Sequence, residues 1–481
     1  MTQIHEDPTA RAYQEARIMH WNRLANTQSQ RLWSGGYYHQ RLNEVFSTLV
    51  PQGQRVLEIG CGRGDLLAAL KPAEGVGIDF SPTMLSTARQ AHPELTFIEA
   101  DIHSLELNTH FDYIILSDLV NDLWDVQLAL ENVNRLCSPH TRIIINTYSR
   151  MWELPLAAAA SLGLSNKSLY QNWLTVDDIS QLLSLAGFET IRAWAEVLLP
   201  VRFPLLDTLC NRYMVKLGLF QWMALTHLIV ARPQAVPTPA EKAPIVSVIV
   251  PARNESGNIE AIFARTPEMG AGTELVFVEG NSTDDTFEMI QRTISAHPER
   301  RCSLFQQKGK GKGDAVRLGY EHASGDVLMI LDADLTVPPE DLPRFYNALE
   351  CGQAEFVNGV RLVYPMEKEA MRFANLLGNK FFSLAFSWLL GQPVKDSLCG
   401  TKVLWKQDYL RIAANRHVFG DFDPFGDFDL LFGAARLNLK IIDLPIRYRE
   451  RTYGATNIER WKHGVLLLRM VLFAASKIKF I

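Results

Sequence analysis

The sequence predicts two α/β domains on one chain, and three observations predict it. At 481 residues the chain exceeds the length that one hydrophobic core ordinarily serves. Short apolar runs alternate with longer segments of helical type in both halves, the pattern of βαβ units and parallel sheets. Between Arg232 and Pro244 the text reads RPQAVPTPAEKAP, with four prolines and no apolar periodicity, which predicts a stiff extended linker. The expected organisation is a first domain over residues 1–231, a linker over 232–244 and a second domain over 245–481.

Composition narrows the class. Hydrophobic residues make up 47% and charged residues 21%, which is globular, and a net charge of −5 gives no global reason to expect a nucleic-acid partner. The six cysteines, Cys61, Cys137, Cys210, Cys302, Cys351 and Cys399, are far apart, with no CxxC pair and no Cys/His cluster at zinc spacing. They read as reduced cysteines of a cytosolic protein. The N-terminal text MTQIHEDPTARAYQ lacks a basic start followed by an apolar run, so no secretory signal is expected. Segments 197–231, 381–391 and 464–475 approach, without reaching, the apolar length of a spanning helix.

In the first half VLEIG, GVGID, LTFIEAD, YIILSD and RIIINTY are the expected strands. Gly60, Gly62 and Gly64 follow the first of them directly and precede the helical run LLAALK, where glycine lets the backbone turn sharply and approach a ligand. Asp79 ends the next strand, where a carboxylate can accept both ribose hydroxyls, and Asp101 with Ile102 ends the one after, a polar and apolar pair suited to an adenine. Glu58 is an odd residue inside an apolar strand unless it fixes the glycine loop.

These residues resemble the class I, Rossmann-like methyltransferases over roughly residues 35 to 195. The E-x-G-x-G-x-G element is met by Glu58, Gly60, Gly62 and Gly64, and the acidic strand ends by Asp79 and Asp101. The resemblance implies S-adenosylmethionine as cofactor, and it places Ser117 and Asp118 along the methyl-transfer cleft. A hydroxyl acceptor would need a base. His39, Asp118, Asp122 and Asp125 are candidates, with His39 also readable as a packing histidine and Asp122 and Asp125 as a solvated helix start.

In the second half VSVIVP, ELVFVEG, DVLMILD and EFVNGV are the expected strands. The third ends in Asp332, Ala333 and Asp334, and alternation along a strand would point both carboxylates to one side. Two converging carboxylates repel unless a cation joins them, so Asp332 and Asp334 are candidate ligands for magnesium or manganese. Loops with Asn254 and Glu255 after Pro251, and with Ser282 to Asp285 after Glu279, flank this strand. Lys310 and Lys312 among glycines form a cation-rich loop of the kind that steadies phosphates.

This half is similar to the family-two, GT-A-type (Rossmann-like) glycosyltransferases over about residues 245 to 460. The resemblance is closest to the branch of dolichyl-phosphate mannosyltransferase and bacterial polyprenyl-phosphate glycosyltransferases. It implies that Pro251, Asn254, Glu255, Glu279, Lys312, Asp332 and Arg451 bind a nucleotide-diphosphate sugar and that Asp332 and Asp334 hold the metal, Asp334 taking part in catalysis. Gly454, Thr456 and Asn457 match the pattern after Arg451, with asparagine where lysine is common, and Arg447 and Arg449 are expected to share a strand. Glu279-Gly280-Asn281-Ser282 departs from the usual Asp-Asp-Gly-Ser, which leaves the donor open. Asp427 and Asp429, in GDFDPFGDFD, match the general base of hydroxyl-directed relatives, or else cap the following helix. Asp396 and Lys402 fall where the acceptor cleft is lined.

A lipid phosphate acceptor is largely ionised at neutral pH and needs no base. FFSLAFSWLLG (381–391) and the stretch 464–481, with Arg469, Lys477 and Lys479, can lie along a membrane as interfacial helices or pack as core. The expectation is a bifunctional enzyme at the inner face of the cell membrane. It would move a sugar to a polyprenyl phosphate or cell-envelope glycan, and methylate a related sugar or lipid intermediate. The alternatives are a soluble glycosyltransferase with a hydroxyl acceptor, and a first domain that only binds S-adenosylmethionine or docks.

Overall fold

The computed structural model describes residues 8–26, 35–162, 169–235, 242–361, 363, 373–416, 426–449, 451, 453 and 460–480. It divides into two compact units, Met1–Gln234 with Phe480–Ile481, and Ala235–Lys479. Strand β7 continues through Arg232 and Pro233, with Arg232 Nε donating to Glu189 at 2.6 Å, so the expected linker begins too early. Residues 236–241 of that linker lie outside the described residues.

The first unit is built on β1 (Arg55–Ile59), β2 (Glu74–Asp79), β3 (Thr96–Glu99), β4 (Phe111–Ser117), β5 (Cys137–Tyr148), β6 (Phe188–Glu196) and β7 (Thr226–Pro233). They form one sheet in the order β3-β2-β1-β4-β5-β7-β6. The apolar runs become its central strands because a strand covered on both faces buries every side chain. Tyr113, Ile114, Ile115 and Leu116 are all at 0% exposure, and each such side chain contributes about 1.5 to 3 kcal/mol relative to exposure. The order reverses at β1, so a crevice opens where the C-terminal ends of β1 and β4 part.

The second unit is built on β8 (Val246–Ala252), β9 (Thr273–Glu279), β10 (Arg301–Gln306), β11 (Val327–Ile330), β12 (Phe356–Val360), β13 (Lys402–Trp405) and β14 (Ile441–Pro445). Its order is β10-β9-β8-β11-β13-β12-β14, with the reversal between β8 and β11. The expectation of parallel sheets is corrected on one side of each: β7 runs antiparallel to β5 and β6, and β13 to β11 and β12. Arg447 and Arg449 lie past the end of β14, so they do not share a strand as expected.

The three apolar segments resolve differently. Residues 197–231 split into short helical turns and the buried strand β7. Helix Phe373–Leu390 buries Phe386 and Leu389 while exposing Phe381 and Leu384, and helix Arg460–Ala474 buries Met470 while exposing Leu472. Among the described residues no helix is long and apolar enough to cross a membrane.

Candidate active sites

In the first unit the loop after β1 is shaped by three glycines at positive φ. At Gly64 a Cβ would strike the Phe97 ring at 2.7 Å, and at Gly60 it would meet Leu119 at 2.8 Å. Gly62 (φ +50) has open space beside it, the place where a ligand can approach the backbone. Its N–H donates to Asp79 Oδ2 at 2.9 Å, and Ser81 N donates to Oδ1 at 2.8 Å. Burial raises the Asp79 carboxyl above its ordinary range, against the pull of these backbone donors.

Glu58 stands behind the loop and outside the cleft lining. Its Oε2 accepts from Leu67 N at 3.1 Å, which ties the strand to the start of helix Asp65–Ala69. Burial pushes its carboxyl up to about 8. The folded state therefore holds a proton that the unfolded chain releases between about pH 4.5 and about pH 8, and stability contributed by that proton falls as pH rises through this window. Glu58→Gln mimics the protonated form. The thermal midpoint of the wild type should fall between about pH 5 and about pH 8, and that of Glu58→Gln should fall by less.

A cleft opens at the crevice, lined by Gly60, Asp79, Asp101, Ile102 and Leu119. Helix Pro8–Asn26 covers it, a feature that the sequence reading missed. Gln14 Nε2 donates to Asp101 Oδ2 at 2.5 Å, and Arg17 Nε to Asp122 Oδ1 at 2.8 Å. Trp21 Nε1 donates to Asp122 Oδ2 at 2.9 Å. Asp122 is thus held by the covering helix and not by a helix start, which corrects the expectation, whereas Asp125 does cap helix Val126–Asn134 through Leu128 N at 3.0 Å. Asp101 also accepts from His103 N at 2.9 Å.

Beyond the cleft, Ser117 ends β4 and Asp118 follows at φ +52. Asp118 Oδ1 accepts from Tyr38 Oη at 2.9 Å and from Asn146 Nδ2 at 2.5 Å, and Tyr148 bonds to the same carboxylate. The Tyr38 and Tyr148 rings stack at 5.8 Å. Burial raises the Asp118 carboxyl above its ordinary value, with His39 and the three hydrogen bonds opposing it. His39 itself is exposed, contrary to a packing role, with its ring set edge-on to Tyr38.

In the second unit, two asparagines in the left-handed region knit the loops after β8 and β9. Asn254 (φ +57) takes Ser282 Oγ on its N–H at 3.0 Å and accepts Thr283 N at 2.8 Å. Asn281 (φ +56) donates to the Gln307 carbonyl at 3.1 Å. Pro251 is a half-buried residue of β8 opposite Val278. Glu279 is 1% exposed and accepts from Ser282 N at 2.5 Å, which shapes this loop from inside.

Asp332 and Asp334 do not alternate along a strand. β11 stops at Ile330, and the chain turns, with Leu335 N donating to the Asp332 carbonyl at 3.2 Å and Leu335 at φ +53. Each carboxylate has its own cationic partner. Asp332 Oδ1 pairs with Lys312 Nζ at 2.6 Å. Asp334 Oδ1 accepts from Thr336 N and Oγ1 at 3.1 and 2.7 Å, and its Oδ2 accepts from Arg451 Nη2 at 2.7 Å. The other arm of Arg451 reaches Glu255 Oε1 at 2.8 Å. Burial pushes Glu255 up to about 7 despite Arg451. A Cβ at Gly400 would overlap both the Asp332 carboxylate and the Lys312 ammonium, so this glycine, unremarked in the sequence reading, makes room for the pair. Among the described residues no three His, Cys, Asp or Glu side chains gather at metal spacing. A magnesium-type ion held by Asp332 and Asp334, with substrate phosphates completing its shell, would have to compete with Lys312 and Arg451 for these oxygens.

The remaining candidates have other partners, although Gly426 at the start of the Asp427 helix packs against Gly313 beside Lys312. Asp429, buried, accepts from Arg416 Nε at 2.7 Å, and no described contact joins it to Asp332 or Asp334. Asp427 begins helix Asp427–Arg436, and its side chain lies outside the described residues, as do Gly454, Thr456 and Asn457. Asp396 and Lys402 are buried structural groups and not an open acceptor lining. Asp396 takes both Nε and Nη2 of Arg361 at 2.7 and 2.8 Å, and Lys402 bonds the Cys399 carbonyl.

Comparison with known proteins matches residues 51–187 to a methyltransferase domain family and residues 247–403 to glycosyl transferase family 2. Over 137 residues the chain is 39% identical to a dolichol-phosphate mannosyltransferase of Pyrococcus furiosus, covering 28% of this chain and 38% of that protein. Over 235 residues it is 25% identical to an undecaprenyl-phosphate 4-deoxy-4-formamido-L-arabinose transferase of Edwardsiella ictaluri, covering 47% of this chain and 66% of that protein. The chain thus spans between about a third and two thirds of the length of these relatives. A solved S-adenosylmethionine-dependent methyltransferase of Mesorhizobium loti aligns at 20% identity and a TM-score of 0.32, over 39% of this chain and 96% of that one. One chain thus joins a segment of methyltransferase-family type, residues 51–187, to one of glycosyl transferase family 2 type, residues 247–403.

Proposed function

We propose that the second domain transfers a sugar from a nucleotide diphosphate to a polyprenyl phosphate, and that the first methylates a sugar or lipid intermediate with S-adenosylmethionine. The observation that carries the first part is the set of alternating charges Lys312–Asp332 and Glu255–Arg451–Asp334 at the β8/β11 reversal. Lys312 and Arg451 would take diphosphate oxygens, and the polyprenyl-phosphate relatives support that acceptor class. An acceptor phosphate oxygen attacks the anomeric carbon, and the bond to the diphosphate breaks with its electron pair leaving on the nucleotide. A divalent ion held by Asp332 and Asp334 would offset the charge gathering on that leaving group. No base is required for an ionised phosphate. Asp429 carries an ion pair to Arg416, which a role as base for a hydroxyl acceptor would have to share.

In the first domain the acceptor oxygen attacks the methyl carbon, the carbon–sulfur bond breaks towards sulfur, and Asp118 takes the hydroxyl proton. Tyr38, Asn146 and Tyr148 hold that carboxylate in place. The basic, half-exposed stretch 465–479 of the second unit supports attachment at the inner membrane face.

The test is a screen of nucleotide sugars against polyprenyl phosphate and against polyprenol, read by product mass. Phosphate-linked product with one donor and none with polyprenol is expected. Transfer to polyprenol alone would reject the phosphate reading.

A further inference from the structure

Residues 198–223 of the first unit are built inside out. The chain makes short helical turns at Leu206–Thr208, Leu209–Tyr213 and Met214–Lys216, and a single turn at Gly218–Gln221. A surface helix ordinarily turns its apolar side chains to the core and its polar ones to water. Here Asp207, Asn211 and Lys216 are buried, at 7%, 1% and 4% exposure. The outward residues include Phe203, Leu205, Leu209, Leu217, Leu219 and Trp222, with Leu205 exposed to 87% and Leu219 to 75%.

The inversion is fastened by specific bonds. Asn211 Oδ1 accepts from Leu198 N and Leu199 N at 2.7 and 2.9 Å, and its amide donates to the Leu199 carbonyl at 2.7 Å. Lys216 is paired to the buried Glu196, with the Arg41 guanidinium 3.6 Å from the same carboxylate. Leu205 sits at φ +68, a strained backbone for a side chain that gains no burial from it. Holding so many apolar groups out of the core opposes the hydrophobic effect unless an apolar phase receives them.

The charge pattern says which phase. The exposed formal charges along 198–223 are Arg202 and Arg212, both cationic, and no exposed acid interrupts them. Tyr213 and Trp222 add amphipathic rings suited to the headgroup level. Contacts also lead from this segment to Asp118, proposed above as the base: Asn211 Nδ2 donates to Tyr37 Oη at 3.1 Å, and the next residue, Tyr38, bonds Asp118.

We propose that residues 203–223 are a lipid-docking face that seats the first domain on an anionic bilayer and presents its cleft to a lipid-borne methyl acceptor. The acceptor class rests on the reading of that domain as an active methyltransferase, and the docking face does not. The test uses the full chain with vesicles of phosphatidylcholine and phosphatidylglycerol, read by amide hydrogen exchange so that 203–223 is scored apart from 464–481. Exchange across 203–223 should slow several-fold on binding, and less with pure phosphatidylcholine. Leu209→Gln with Leu219→Gln, both outward, should abolish that protection and weaken vesicle binding by about tenfold or more. Vesicle-bound protein with unchanged exchange at 203–223, or no vesicle binding, would overturn the proposal. So would protection that appears without lipid as the chain dimerises.

Discussion

Replacing Asp334 by Asn lowers sugar transfer by roughly 100-fold or more, with methyl transfer unchanged. Asn keeps the size of the side chain and an oxygen for Thr336 N and Oγ1, so the turn after β11 survives. What is lost is one negative charge facing Arg451 and any cation bound there. In the transition state the departing diphosphate gathers charge, and removing one preorganised electrostatic partner at such a centre costs about 3 to 4 kcal/mol. Chelation should reproduce the loss in the wild type, and added manganese or magnesium should reverse it there but not in the variant. Initial rates with the preferred nucleotide sugar, measured with and without chelator, check this.

Asp118→Asn lowers methyl transfer to a hydroxyl acceptor by about 100- to 10,000-fold, the range in which a positioned base contributes. Asn still accepts from Tyr38, so a loss of this size reports the missing base and not a collapsed cleft. Its pH dependence has a definite sign. The base must be ionised, and burial raises the Asp118 carboxyl, so the wild-type rate should climb with pH through an apparent pKa above that of an ordinary aspartate. His39 lowers that pKa, so His39→Gln should move the rising limb to higher pH without abolishing activity. Label transfer from S-adenosylmethionine into an organic extract of membrane lipids, across pH, checks both.

The central strands were legible because buried parallel strands are continuous apolar text: β1, β4, β8, β9 and β11 stand where VLEIG, YIILSD, VSVIVP, ELVFVEG and DVLMILD predict them. Edge and late strands were not. β10 (RCSLFQ) is half-exposed and mixed in composition, and β13 has four residues inserted antiparallel between β11 and β12. Carboxylates and glycines at strand ends showed where chemistry gathers, since strand ends set the crevice in an open α/β sheet. Their partners were hidden by chain distance. Arg451 reaches Asp334 across 117 positions, and Arg17 reaches Asp122 across 105. The alternation expected of Asp332 and Asp334 failed because β11 ends at Ile330, before either of them. The inverted face at 203–223 read only as part of an apolar segment short of a spanning length, because hydropathy records which residues are apolar and not which way the backbone turns them.

The most direct test of two chemistries on one chain is to measure both reactions in both variants, Asp334→Asn and Asp118→Asn, in one mixture of nucleotide sugar, labelled S-adenosylmethionine and lipid acceptors. Each variant should lose its own reaction and keep the other at the wild-type rate when each acceptor is supplied. Loss of both reactions in either folded variant, or full retention of both in each, would contradict the assignment.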